Sequence, residues 1–167
     1  IFLMDPKNDR VERVAEKAGM GGYSIPSPDG RYLIAMNFLN KTIDLLSIAE
    51  SGSKVLMAFP SSGGFPAFSW APDGKSFVYS EDRWLKAFSV LDGTARILVE
   101  AGPNKIFGPG SPMDGTPNTA FSPAGTMIAY SLQDAGEGPG RRSELWIVDT
   151  TGGSPRKIAD APAGLPL

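Results

Sequence analysis

Residues 27–36 read Ser-Pro-Asp-Gly-Arg-Tyr-Leu-Ile-Ala-Met, a tight-turn signal running straight into an apolar strand. Pro28 presets φ for the turn, Asp29 has a side chain that bonds back to the backbone, and Gly30 suits the left-handed position. The string returns without gaps as Ala71-Pro72-Asp73-Gly74-Lys75 and as Ser122-Pro123-Ala124-Gly125-Thr126. Pro28, Pro72 and Pro123 lie 44 and 51 residues apart, and a fixed period of about 20–50 residues marks a repeat architecture. Ala124 replaces the Asp of the other copies, which predicts a weaker third turn.

Each turn opens a comparable series of strands. Tyr32 to Met36, Phe77 to Tyr79 and Met127 to Tyr130 are apolar on both faces, as expected of a sheet covered on two sides by neighbouring sheets. A second hairpin follows in every copy: Leu45 to Ile48 turns at Ser51-Gly52, Phe88 to Leu91 at Asp92-Gly93, and Leu145 to Val148 at Gly152-Gly153. The residues before each Pro turn, Tyr23 to Ile25, Ala67 to Trp70 and Thr119 to Phe121, supply an innermost strand. Four antiparallel strands per repeat, stacked repeat on repeat, predict an all-β protein built as a segment of a β-propeller. Residues 1–15 align without a gap on residues 145–159, so the chain is expected to open with an outer half-blade. The predicted parts are 1–19 (half-blade), 20–63, 64–115 and 116–160 (full blades) and 161–167 (tail).

Composition agrees with this reading. Among 167 residues, 20 Gly and 15 Pro favour many short strands over long helices. The absence of His and Cys removes the usual general base, thiol nucleophiles, disulfides and the commonest metal ligands, so no metal or other cofactor is expected. A net charge of −2 gives no electrostatic footprint for nucleic acid. No apolar run reaches the roughly 18–20 residues that span a bilayer as a helix.

The string Trp/Phe-Ser-Pro-Asp-Gly-Lys, an apolar strand, and a later strand ending in Asp and Gly-Gly resemble the TolB-type, WD40-like β-propeller repeat. They are also similar to the propeller that caps prolyl-oligopeptidase-type serine peptidases. The Ser-x-Asp-x-Gly box of sialidase repeats does not match, because Gly30 directly follows Asp29. The TolB resemblance implies a periplasmic, non-catalytic module that binds or scaffolds another protein, as an accessory subunit of a bacterial envelope or membrane-associated complex. The peptidase resemblance implies the alternative, a gate domain whose catalytic domain lies outside this chain. Three full blades and a half fall short of a closed ring of about four or more, so residues beyond these 167, a partner protein or a second copy is expected to complete it.

Partner contacts are expected in loops, which carry function on rigid scaffolds. The insertion Gly102 to Pro117, with Met113 and Asp114, reads as an exposed loop. A second insertion, Asp134 to Arg142, presents Arg141 and Arg142 and lacks the Gly-Lys-Ser/Thr of a phosphate loop. Arg83 and Trp84 sit in the short link Glu81-Asp82-Arg83-Trp84, where adjacent carboxylates point apart and do not suit paired-carboxylate catalysis. Trp70, Trp84 and Trp146 read as wedges between blades. Asn40-Lys41-Thr42 fits the glycosylation acceptor pattern.

Overall fold

The computed structural model describes residues 2–5, 7–13, 20–48, 53–58, 66, 68–108, 119–136 and 142–161. It divides into two units, Ile1–Phe59 and Pro60–Leu167. In the first, strands β1 (Phe2–Asp5) and β2 (Arg10–Arg13) form a hairpin, where an outer half-blade was expected. Strands β3 (Met20–Pro26), β4 (Tyr32–Asn37), β5 (Thr42–Ser47) and β6 (Ser53–Ala58) then make a four-stranded antiparallel meander. Leu33, Ala35 and Leu46 form a core cluster on one face, while Ile34, Ile43 and Leu45 are buried as well.

The second unit repeats the pattern. Strands β7 (Phe68–Trp70), β8 (Ser76–Glu81), β9 (Trp84–Ser89) and β10 (Thr94–Glu100) form one sheet in sequence order. Strands β11 (Lys105–Phe107), β12 (Thr119–Phe121), β13 (Met127–Asp134), β14 (Ser143–Asp149) and β15 (Arg156–Ala161) form the next. Val78, Leu85, Leu98 and Val99 of the first sheet pack with Ile128, Tyr130, Leu132 and Val148 of the second in one core. The opposite face of the first sheet is aromatic, with Phe77 fully buried among Phe68, Trp70, Tyr79 and Phe88. Apolar residues on both faces of β8 are thus buried for different reasons, as the unbroken apolar run implies.

The three Pro turns share one geometry. Gly30, Gly74 and Gly125 have φ of 71°, 68° and 69°, and each donates its N–H to the carbonyl three residues back, Ser27, Ala71 and Ser122. A side-chain Cβ is strained at that φ. In the first two turns Asp29 and Asp73 accept the N–H of Arg31 and Lys75. The third turn was expected to be weak without its Asp, but the Ser122 hydroxyl accepts from both Thr126 N–H at 3.2 Å and Met127 N–H at 3.1 Å. One side chain does there what Ser27 and Asp29 share in the first copy. Ser122→Ala should therefore cost about 1–2 kcal/mol, and Ser27→Ala a similar amount, because the Ser27 hydroxyl also makes two bonds, accepting from Tyr32 N–H at 2.9 Å and donating to Asp29 at 2.6 Å. Urea titration of the two variants measures the losses, and no loss in Ser122→Ala would contradict the role given to its hydroxyl.

Two features escape the repeat pattern. In each full blade the outermost strand carries a one-residue bulge, at Leu56, Leu98 and Ile158. Bulges at sheet edges twist the strand and blunt it as a template for further pairing. The other is β11, which corrects the expectation of an exposed loop over 102–117: residues 105–107 are a strand, and Phe107 is buried against the Tyr130 ring at 5.7 Å. The physical reason is the length of β13. Its eight residues reach to Asp134, whereas β12 covers only Ile128 to Tyr130, leaving backbone donors and acceptors that β11 pairs from Leu132 to Asp134.

Candidate interaction surface

At one end of the second unit's strands lie the β8–β9 turn, the β10–β11 link and the β13–β14 hairpin. The turn is tight because Asp82 takes the left-handed conformation at φ 51°. Arg83 is tied into the sheet: its carbonyl accepts the N–H of Ala101 at 2.8 Å, and its guanidinium donates to the Ala101 carbonyl at 2.9 Å and lies 3.6 Å from Glu100. Trp84 is half-buried, with the Lys86 ammonium 5.6 Å from its ring centre and Lys86 paired with Glu81. The N–H of Ala135 bonds the Asn104 carbonyl at 2.8 Å, which joins the hairpin to the link.

An ion-pair network braces this end. Lys105 lies 2.7 Å from Asp134 and 3.3 Å from Glu144, and Lys157 lies 3.1 Å from Glu144 and 2.5 Å from Asp160. Trp146 donates its indole N–H to Glu144 at 3.0 Å. Burial works against ionising Glu144, but the bonds from Trp146, Lys157 and Lys105 outweigh it and hold its carboxyl below the usual range. The Lys105 ammonium and the Arg142 N–H do the same for Asp134. Lys105 is raised, first by its bond to Asp134, and Lys157 by its bonds to Asp160 and Glu144.

The sign of the pH dependence follows. A depressed carboxyl stabilises the fold above its unfolded value and loses that contribution as pH falls through the folded one; a raised lysine stabilises below 10.5 and loses it as pH rises through the folded value. The network's contribution is therefore full from above the carboxylate range up to the ordinary lysine value. Glu144→Gln should lower the midpoint of urea unfolding at neutral pH and flatten its fall in acid. An acid limb as steep as that of the parent would contradict the role given to Glu144.

Of the residues singled out from sequence, the structure brings Arg83, Trp84 and Arg142 to this one end. Arg142 is exposed, with its N–H 3.4 Å from the Asp134 carboxylate and its carbonyl accepting from Asp134. Arg141, Met113 and Asp114 lie outside the described residues. Sequence reasoning missed Lys105, Glu144 and Lys157; the only signal was that Lys105 and Asp134 become register partners once β11 is a strand. Trp70 is buried and Trp146 packs on the core between the two sheets, while Asn40 sits in an exposed turn. Among the described residues no group of three or more Asp and Glu is placed to hold a metal ion, and no helix is long and apolar enough to cross a membrane.

No protein-family profile and no curated protein sequence matches the chain. Its structure is similar to TolB from Acinetobacter baumannii, at 19% identity and a TM-score of 0.59 over 95% of this chain and 37% of TolB. It is similar to an oligogalacturonate lyase from Vibrio parahaemolyticus, at 12% identity and a TM-score of 0.62 over 98% of this chain and 47% of that one. Prolyl oligopeptidase B from Galerina marginata matches at 15% identity and a TM-score of 0.55, over 91% of this chain and 24% of the peptidase. The chain thus spans less than half the length of each of these solved structures. One fold serves a lyase, a peptidase and TolB alike, so fold alone does not name an activity. With its antiparallel blades, four-stranded but for the β11 added to the last, the chain has the β-propeller fold that these proteins share.

Proposed function

We propose that the chain is a non-catalytic, protein-binding β-propeller module, an accessory part of a bacterial envelope complex. The observation that carries this reading is the braced end of the second unit. Paired charges fix the framework there, while Arg142 stands exposed just before β14. A rigid frame carrying variable loops is how scaffolds present contact residues. The likeness to TolB supports the periplasmic setting. The partner is a protein, or a second copy of the chain, rather than nucleic acid.

A photo-crosslinking residue at position 142, compared with one at the exposed Leu91 beyond the other end of the strands, tests this. In periplasmic extract of the source organism, position 142 should give one discrete adduct that Arg83→Glu weakens, and position 91 should not. Equal, diffuse labelling from both would overturn the reading. Turnover of peptide or polygalacturonate by the purified chain would overturn its non-catalytic character.

A further inference from the structure

A cleft of about 230 Å³ opens between the two sheets of the second unit, at the end of the strands opposite the braced surface. Its two walls differ in chemistry. On the β8–β9–β10 side the register puts Ser76, Ser89 and Thr94 in one row and Val78, Ala87 and Arg96 in the next, on the same face. Facing them are Phe121 and Ile128, register partners on β12 and β13. The hydroxyls of Ser76 and Thr94 make no side-chain hydrogen bond among the described residues. Asp92, in the β9–β10 turn, accepts the Ser89 hydroxyl at 2.9 Å on one carboxylate oxygen.

Arg96 holds the cleft to its width. Its guanidinium crosses from β10 to donate to the carbonyls of Thr150 and Thr151 on the next blade, the latter at 3.2 Å. Two of its five N–H groups are thereby used, and the others remain for a ligand. The cleft thus offers the Phe121 ring, with Ile128 buried beneath it, a facing row of hydroxyls that both donate and accept, and one charge of each sign.

Those requirements narrow the occupant. A wholly apolar group would cover the Ser76 and Thr94 hydroxyls without giving them partners, at about 1–3 kcal/mol each. An anion would meet Asp92, and a cation would meet Arg96. A ring with C–H groups on one face and hydroxyls around its rim satisfies both walls without net charge. We propose that this cleft is a subsite for a neutral pyranose sugar unit, its C–H face on the partly exposed Phe121 ring and its hydroxyls bonded to Asp92, Ser76, Thr94 and Arg96. The site is independent of the protein contact proposed above, which lies at the other end of the strands.

Amide NMR titration of the intact chain with the methyl glycosides of glucose, galactose and mannose tests the site. At least one should give saturable millimolar shifts at Ser89 to Thr94 and at Thr150. Asp92→Asn, which keeps the shape of the side chain, should weaken that binding about tenfold or more. Phe121→Leu, which keeps an apolar wall but removes the ring, should weaken it as well, and serves if the Asp92 variant does not fold. Arg142→Glu should leave it unchanged, which separates this site from the interaction surface. No saturable shift with any glycoside would overturn the proposal, as would binding indifferent to both cleft variants. Saturation of the same amides by phenylalanine amide and not by a glycoside would also overturn it, marking a pocket for a partner's side chain.

Discussion

Truncating Phe77 to alanine is expected to destabilise the second unit by about 3–5 kcal/mol, a large share of the 5–15 kcal/mol that a whole domain commands. The ring is completely buried, and it has the Phe88 ring at 4.9 Å, Trp70 at 5.0 Å and Tyr79 at 5.9 Å. These neighbours sit on strands whose register is fixed, so they close only partly over the cavity. Phe77→Leu, which keeps most of the volume, should cost under about 1.5 kcal/mol. Urea unfolding followed by tryptophan fluorescence reads both, since Trp70 touches the site. A loss below 1 kcal/mol for the alanine variant would mean that this aromatic face is not a packed core.

The second large effect has the opposite sign. Tyr130 is almost wholly buried, and its hydroxyl has no hydrogen-bond partner among the described residues. A buried hydroxyl left unpaired costs about 1–3 kcal/mol, so Tyr130→Phe should raise stability by about 1–2 kcal/mol while the ring keeps its contact with Phe107. Burial also pushes the phenol well above its ordinary 10.0. In the parent the unfolded chain ionises first, so stability falls as pH rises past 10. The phenylalanine variant should lose part of that alkaline fall and keep the part due to Tyr79, Lys105 and Lys157, all of them raised as well. A destabilised Tyr130→Phe would show that the hydroxyl has a partner after all.

The blades were legible because their signals are local. Pro-Asp-Gly turns are read within five residues, and strands apolar on both faces are read within six. What was not legible depends on partners far along the chain. Lys105-Ile106-Phe107 is three residues between Gly102-Pro103 and Gly108-Pro109, which reads as loop until β13 is known to overrun β12 by four residues. The bulges at Leu56, Leu98 and Ile158 do not show in the apolar pattern, because an extra residue in an outer strand leaves the buried strands unchanged. The network around Glu144 needs the register of three strands at once. The contact expected of Arg83 rested on its place in a short link between strands, and its bonds to the end of β10 appear only when the sheet is assembled.

The register of β13 has a consequence for how this protein can change. Phe107 pairs with Leu132 and Thr119 with Tyr130, and Gly108 bonds the carbonyl of Ser131, the single position between them. The chain therefore leaves and rejoins the same sheet edge across a gap one residue wide, between Phe107 and Thr119. The strands on either side take their register from β13, and not from the sequence that joins them. This marks a splice point, where lengthening or shortening the joining sequence is expected to leave the blade beneath in register.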